Sequence, residues 1–296
     1  MNIKKQYINW HENIDYKYFL LTVDDNYIEV ASCLIESLRI NTLKKLCFII
    51  FTESLNVKTI DSLYNLNISF IIYYIDRKEI GIIYDEKKYI WPYVSFFRII
   101  APFVIDEKIE YLYYLDGDML CINSLDELFE LEIPKTIAMC PELQLSAEKN
   151  HLSKLDNSFL YCNSGFVIFN IHEFKKNYNF KNIVNDLNCR LNSYKYPDQD
   201  FLNFYFKNDI IYLNPFKFNN MPYHYKGARS FKKILSNAII IHCTSFKPWN
   251  YKCSLDFAKI YLKYCPNKKM KKTIRKKMIV HIFLNPIRLL VKKIRG

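Results

Sequence analysis

The sequence predicts an α/β fold with a mostly parallel central sheet, followed by a basic, amphipathic, helical C-terminal tail. Three observations carry this. Short apolar runs of strand length alternate with segments of helical periodicity along the chain. Half of the 296 residues are apolar (50%) and 24% are charged, which supplies a core and excludes global disorder. Charge is also divided along the chain. Residues 257–296 hold 13 of the 42 Lys/Arg and no Asp or Glu, leaving 29 basic against 30 acidic residues in 1–256. The predicted units are therefore a neutral α/β domain, 1–256, and a basic tail, 257–296.

Residues 18–23 (YFLLTV) read as a strand that stops at Asp24-Asp25-Asn26. Ile28, Ala31, Leu34, Ile35 and Leu38 then repeat at helical spacing across 27–39, with Asp25 or Asn26 as the expected cap. Residues 46–51 (LCFIIF) and 68–75 read as buried strands on either side of a helix at 54–66. This β-α-β-α-β order implies parallel strands with helices on the sheet faces. Further on, 94–104 reads as largely helical, 111–115 (YLYYL) as a strand and 125–129 as a short helix. Strands are expected at 136–140, 166–170 and 238–243, and one long helix at 172–191. In such a fold ligands sit at the carboxyl ends of the strands.

Strand 111–115 runs straight into Asp116-Gly117-Asp118. With 16 Asp in the chain, D-x-D arises about once by chance, so the context carries the reading. Near extended backbone, residues i and i+2 point to one side. Two carboxylates there make a hard oxygen site for a divalent cation, and Gly117 would let a ligand approach the backbone. The plain alternative is a solvated acidic turn. His242, at the end of 238–243, is a candidate third ligand, and an oxygen–imidazole set favours Mn²⁺ over Mg²⁺. Lys247 is a point charge suited to phosphate. Asp198-Gln199-Asp200 follows Pro197 at a helix start, where one acid is expected to cap. Asn163-Ser164-Gly165 reads as a turn before a strand. Arg98 lies among Phe96, Phe97, Ile99 and Ile100, so its charge needs a partner or a ligand.

Several functions are excluded or disfavoured. The five glycines form neither G-x-G-x-x-G nor a P-loop, and there is no G-x-S-x-G, H-E-x-x-H or paired C-x-x-C. A neutral body does not fit nucleic-acid binding. Nine scattered Cys, no apolar leader in 1–15 and no run of about 20 apolar residues suggest a cytoplasmic chain.

Taken in order, these motifs resemble glycosyltransferase family 8, which includes bacterial lipopolysaccharide α-galactosyl- and α-glucosyltransferases and glycogenin. The likeness covers residues 18–250, through T-V-D-D-N, F-F-R, Y-Y-L-D-G-D, C-N-S-G-F-V-I-F-N, P-D-Q-D-F-L-N and H-C-T-S-F-K-P-W. It implies a single GT-A-type nucleotide-sugar-binding domain. It also implies retaining transfer of galactose or glucose from a UDP-sugar to an oligosaccharide or lipid-linked saccharide, such as a lipopolysaccharide core. By resemblance, Asp24 and Asn26 would hold the uracil and ribose end, with Thr22 and Val23 lining the base pocket. Asp116 and Asp118 would bind Mn²⁺ (Mg²⁺ being the alternative), His242 would complete the ligands and Lys247 would contact the diphosphate. Arg98, Asn163, Asp198 and Gln199 would surround the donor sugar. The family usually has Gly three residues after the metal His and Lys six after it. Here Ser245 stands at the glycine position and Lys247 is five residues on, so this loop is one residue shorter.

Retention can proceed through a covalent intermediate or by attack on the face that the phosphate leaves. The Gln199 amide is a poor nucleophile and Asp198 is suited to sugar hydroxyls, so same-face attack is expected, with a phosphate oxygen taking the acceptor proton. Two other readings compete. A HAD-type phosphatase also opens with an apolar strand and D-x-D, but Asp118 is followed by Met119-Leu120, without the usual Thr or Val two residues on. An inactive, membrane-held sugar-nucleotide-binding protein would not need the Asp pair, His242 and Gln199 intact.

The tail begins KKMKKTIRKK at Lys268, and Asn285-Pro286 is expected to cap and start a new helix. Ile287, Leu290, Val291 and Ile294 fall on one helical face, opposite Arg288, Lys292, Lys293 and Arg295. This pattern suits an anionic membrane surface and peripheral attachment to the inner face of the cell membrane.

Overall fold

The computed structural model describes residues 3–89, 91–106, 108–142, 159–221, 235–244, 247–249 and 255–295. Its strands are Lys4–Ile8 (β1), Tyr16–Thr22 (β2), Lys45–Thr52 (β3), Ser69–Tyr74 (β4), Tyr111–Leu115 (β5), Met119–Cys121 (β6), Ile137–Pro141 (β7), Cys162–Asn170 (β8), Ile210–Tyr212 (β9) and Ile240–His242 (β10). Its helices are Ile28–Ile40 (α1), Val57–Tyr64 (α2), Arg77–Ile80 (α3), Phe97–Val104 (α4), Asp126–Phe129 (α5), Ile171–Asn177 (α6), Phe180–Arg190 (α7), Pro197–Tyr205 (α8), Pro215–Phe218 (α9), Leu255–Tyr264 (α10) and Lys268–Arg295 (α11).

Eight strands form one mixed sheet in the order β1-β4-β3-β2-β5-β8-β7-β9, with β4, β3, β2 and β5 parallel. The apolar runs of β2 and β3 are buried on both faces, as parallel strands covered by helices must be. Alternate residues feed two cores. Leu20, Ile49 and Ile71 pack with Phe97, Ile100 and Phe174, while Phe19, Ile50 and Phe70 pack with Leu34, Leu38 and Leu63. Each such side chain contributes about 1.5–3 kcal/mol by leaving water. The neighbours of β2 are β3 on one side and β5 on the other, so the chain reverses its direction of travel across the sheet there. The carboxyl ends of β2 and β5 flank the resulting crevice.

Several elements differ from the sequence expectation. The charged edge strand β1 pairs antiparallel with β4, and charge on a short edge strand conceals it from a search for apolar runs. The expected helix at 172–191 is two helices, because Asn179 caps a new one by accepting from Lys181 and Asn182. Residues Cys162–Asn170 form one continuous strand, so Asn163-Ser164-Gly165 is β-strand and not a turn. The cap of α1 is neither Asp25 nor Asn26: the Asp24 carboxylate accepts from the N–H groups of Asn26 and Tyr27. Strand β10 pairs with β6 in a separate ribbon and does not join the main sheet.

Helix α1 is buried on a second side as well. Val30 and Cys33 pack with Tyr261, Tyr264, Met270 and Ile274, and the Tyr261 hydroxyl donates to Val30 O at 3.2 Å. Helix α11 continues through Asn285-Pro286, where the sequence suggested a fresh start. A proline removes a backbone hydrogen bond from a helix without dictating a break. Among the described residues, no helix is long and apolar enough to cross a membrane.

Candidate functional site

A cavity of about 670 Å³ opens at the ends of β2 and β5, a size usual for ligand pockets. Thr22, Val23, Asp24 and Asn26 line one side and Asn163, Asp198 and Gln199 the other, with Arg98 beside them. Asp116, Gly117, Asp118, His242 and Lys247 line it as well. Ser245 lies outside the described residues.

The acidic pair is placed by backbone pairing. Leu115 sits opposite Phe166 in β8, and the Asp116 N–H donates to Gly165 O at 2.8 Å. The ribbon of β6 and β10 sets His242 opposite Met119, next in sequence to Asp118. One ligand atom from each of Asp116, Asp118 and His242 lies within 4.8 Å of the others. Gly165 makes this possible. A Cβ there would fall 2.3 Å from His242 Cε1 and 2.8 Å from Asp116 Oδ2. At Gly117, Tyr27 and Ala31 close the direction a side chain would take, their atoms meeting a Cβ at 2.9 and 3.2 Å, while Gly117 itself lines the cavity.

Each carboxylate has one oxygen engaged by a cation and one facing the imidazole. Asp116 Oδ1 meets Arg98 Nη1 at 3.3 Å and accepts from the Tyr114 hydroxyl, while its Oδ2 lies 3.7 Å from His242 Nε2. Asp118 Oδ2 pairs with the Lys247 ammonium, and its Oδ1 lies 3.3 Å from His242 Nε2. Burial opposes ionisation of Asp118, but His242 and Lys247 outweigh it and hold this carboxyl well below the usual range.

The imidazole orientation follows from a backbone anchor. The Gly165 N–H donates to Asn163 Oδ1 at 3.0 Å, which fixes the oxygen of that amide. Asn219 Nδ2 donates to the same oxygen at 3.1 Å, so Asn219 Oδ1 is the atom 2.9 Å from His242 Nδ1. Nδ1 therefore carries a proton toward Asn219 Oδ1, and Nε2 is the ring nitrogen that faces the two carboxylates. Two hard oxygens and an imidazole nitrogen, each held by outer partners, fit a divalent cation of the Mn²⁺ class.

Across the cleft, Arg98 is buried. It donates to Ser95 O (2.9 Å) and Ser164 O (3.0 Å), pairs with Asp198 Oδ2 (3.3 Å) and lies 4.3 Å from the Tyr114 ring centroid. This supplies the partner its apolar setting demanded. Burial raises the Asp198 carboxyl, and Arg98 only partly offsets it. Gln199 makes four contacts: Oε1 accepts from Asn163 Nδ2 (3.0 Å) and Ser164 N (3.1 Å), while Nε2 donates to the Tyr161 hydroxyl (3.0 Å) and Glu142 Oε1 (3.3 Å). Its carbonyl lone pairs are both engaged, which disfavours nucleophilic attack. Asp200 serves the backbone, accepting from Lys195 N and Tyr196 N, and takes the Tyr161 hydroxyl. The buried Ser95 and Thr244 hydroxyls line the cavity with no partner among the described residues.

Sequence reasoning missed Tyr114, Glu142, Tyr161, Gly165 and Asn219. Tyr114 was findable, since it lies two residues before Asp116 on a strand and shares its side. The others act across long sequence separations and carry no local signal.

The description Glycosyl transferase family 8 matches residues 19–253, well over half of the chain. Lipopolysaccharide 1,2-glucosyltransferase of Escherichia coli is 27% identical over 81% of this chain and 76% of its own length. Lipopolysaccharide 1,3-galactosyltransferase of Salmonella typhimurium (strain LT2) is 25% identical over 61% of this chain and 56% of its own. A crystal structure of the galactosyltransferase LgtC with donor and acceptor sugar analogues has a TM-score of 0.70 at 17% identity, covering 87% of this chain and 100% of that one. That likeness speaks for the GT-A-type fold.

Proposed function

The chain belongs to glycosyltransferase family 8, and on that premise we propose that it moves glucose or galactose, with retention, from a UDP-sugar to a saccharide acceptor of the lipopolysaccharide-core type. The family membership leaves no place for the phosphatase reading. The observation that carries the proposal is the Asp116, Asp118 and His242 cluster in a cavity lined by the other described donor-site candidates.

In this reading the uridine end lies along Thr22, Val23, Asp24 and Asn26. The diphosphate lies beside Asp116, Asp118 and His242, where Lys247 supplies a positive charge. The hexose lies against Arg98, Asn163, Asp198 and Gln199. A divalent cation bound by Asp116, Asp118 and His242, Mn²⁺ or else Mg²⁺, supplies Lewis-acid charge for the departing UDP. Asp198, ionised and paired with Arg98, accepts hydrogen bonds from sugar hydroxyls. Gln199 positions Asn163 and the Ser164 amide. Its engaged carbonyl favours attack from the face that the phosphate leaves, with a phosphate oxygen taking the acceptor proton.

The distal part of α11 is read as the membrane-facing element. Met270 and Ile274 are buried against the body, so the surface for an anionic inner leaflet starts beyond Met278. The side chains of 283–295 are outside the described residues, and the amphipathic pattern there rests on sequence.

The test is a screen of UDP-sugars for Mn²⁺-dependent UDP release, which needs no acceptor. One UDP-hexose is expected to be hydrolysed, and Asp116→Asn or Asp118→Asn to reduce that rate by about 10³-fold or more while thermal melting stays cooperative. Full activity in both variants refutes the metal-assisted reading.

A further inference from the structure

Asp116 and Asp118 are restrained by different kinds of cation. Arg98 is buried and tied to Ser95 O and Ser164 O as well as to Asp116. It cannot leave without abandoning those bonds. Lys247 sits on the segment after β10, its side chain is 31% exposed, and it pairs with Asp118 Oδ2 at the rim of the cavity. Its stem has four rotatable bonds and its ammonium is a point charge with no fixed geometry. One restraint is rigid and the other is free to change partners.

We propose that Lys247 couples the two ligands of the cleft. It occupies one oxygen of Asp118 until a diphosphate draws it away, so that cation binding and nucleotide binding strengthen each other. This rests on the metal and UDP reading above, in which cation and diphosphate already attract each other, and adds a contribution from Lys247 to that linkage.

The argument is one of charge. Asp116, Asp118 and Asp198 face Arg98 and Lys247, three negative groups against two positive. A divalent cation entering beside Asp118 meets the ammonium on the same carboxylate, and the two repel. When a diphosphate is present, the ammonium has a second anion within reach. Moving there removes the repulsion, releases Asp118 Oδ2 and adds an attraction to the nucleotide. Lys247 is the fifth residue after His242, a span short enough to keep the ammonium beside both partners. Linkage makes the effect mutual: whatever factor UDP adds to cation affinity, the cation adds to UDP affinity.

The experiment measures Mn²⁺ binding to the full-length protein by electron paramagnetic resonance of free Mn²⁺, with and without saturating UDP, in the wild type, Lys247→Met and Lys247→Arg. Wild type is expected to bind Mn²⁺ at least about tenfold more tightly with UDP. Lys247→Met is expected to bind nucleotide-free Mn²⁺ about tenfold more tightly than wild type and UDP about tenfold more weakly, so the coupling shrinks. Lys247→Arg keeps the charge and is expected to keep most of the coupling. A Lys247→Met protein whose nucleotide-free Mn²⁺ affinity is unchanged or weaker overturns the proposal, as does unchanged coupling. A wild type that binds no Mn²⁺ even with UDP overturns the metal reading itself, and this proposal with it. Lys247 lies at the rim, and a thermal melt of each variant confirms that the comparison is between folded proteins.

Discussion

Charge is concentrated in two regions of this molecule, built on opposite principles. In the cleft, Arg98, Asp116, Asp118, Asp198 and Lys247 meet pairwise, and Arg98, Asp118 and Asp198 are buried. On α11, eleven Lys/Arg share one helix with no acid, and Lys268, Lys269, Lys272, Arg275 and Lys276 are exposed. Buried charges act through geometry, so one displaced atom matters. Exposed charges act through their sum and are screened by salt. The cleft should therefore respond sharply to single substitutions, and the helix hardly at all.

The sharpest way to break that comparison is Gly165→Ala, which adds a methyl group and no charge. The new Cβ would lie 2.3 Å from His242 Cε1 and 2.8 Å from Asp116 Oδ2. Those groups must move apart. Donor hydrolysis is expected to fall about 100-fold, since a displacement of about 1 Å costs that much, and stability by about 1–3 kcal/mol. Rates and urea melts of the variant check both. Activity near wild type would mean that the cleft tolerates displacement as the helix does.

A smaller effect concerns the cost of burying an acid. The Asp198 carboxyl is raised by burial, only partly offset by Arg98. Its folded pKa lies above the unfolded value of about 3.9. The folded state therefore binds this proton more readily, and the cost of keeping Asp198 ionised disappears as pH falls through its folded value. Wild type is expected to gain stability relative to Asp198→Asn between pH 7 and about pH 4. Urea melts of the two proteins at both ends of that range measure the difference. A constant difference would place Asp198 with the ordinary surface acids.

The same contrast explains what was legible in the sequence. The parallel strands were readable because apolar runs buried on both faces leave a continuous local signal. Asp116, Asp118, His242, Arg98 and Gln199 were readable because each breaks an expected local pattern or completes an ordered motif series. Asn219, Glu142 and Gly165 were not. Their importance arises only when β8, β10, the end of α9 and the residue after β7 converge, and no neighbour in sequence announces it. Gly165 was visible as a glycine but read as turn chemistry, when its role is to leave room for an imidazole. The segment 257–278 was read by its charge, and its contacts with α1 come from Tyr261, Met270 and Ile274, apolar residues scattered among lysines.

That packing decides where the helix can be cut. Removing residues 279–296 leaves Met270 and Ile274 in place against Val30 and Cys33, so the body should keep its stability. The cut also removes Arg288, Lys292, Lys293 and Arg295, at about 1 kcal/mol each near an anionic leaflet, together with the apolar face between them. The truncated protein is expected to lose co-sedimentation with vesicles containing anionic lipid while hydrolysing the UDP-sugar at the full-length rate. Raising the salt from 0.1 to about 0.5 M should mimic the truncation for vesicle binding and spare the cleft, where Arg98, Asp118 and Asp198 are buried. Any single Lys→Gln change in the helix should shift vesicle affinity only several-fold, since the leaflet responds to total charge and not to any one ammonium. If one such change released the protein completely, the helix would be reading a specific headgroup by geometry, and the distinction between the two regions would fail.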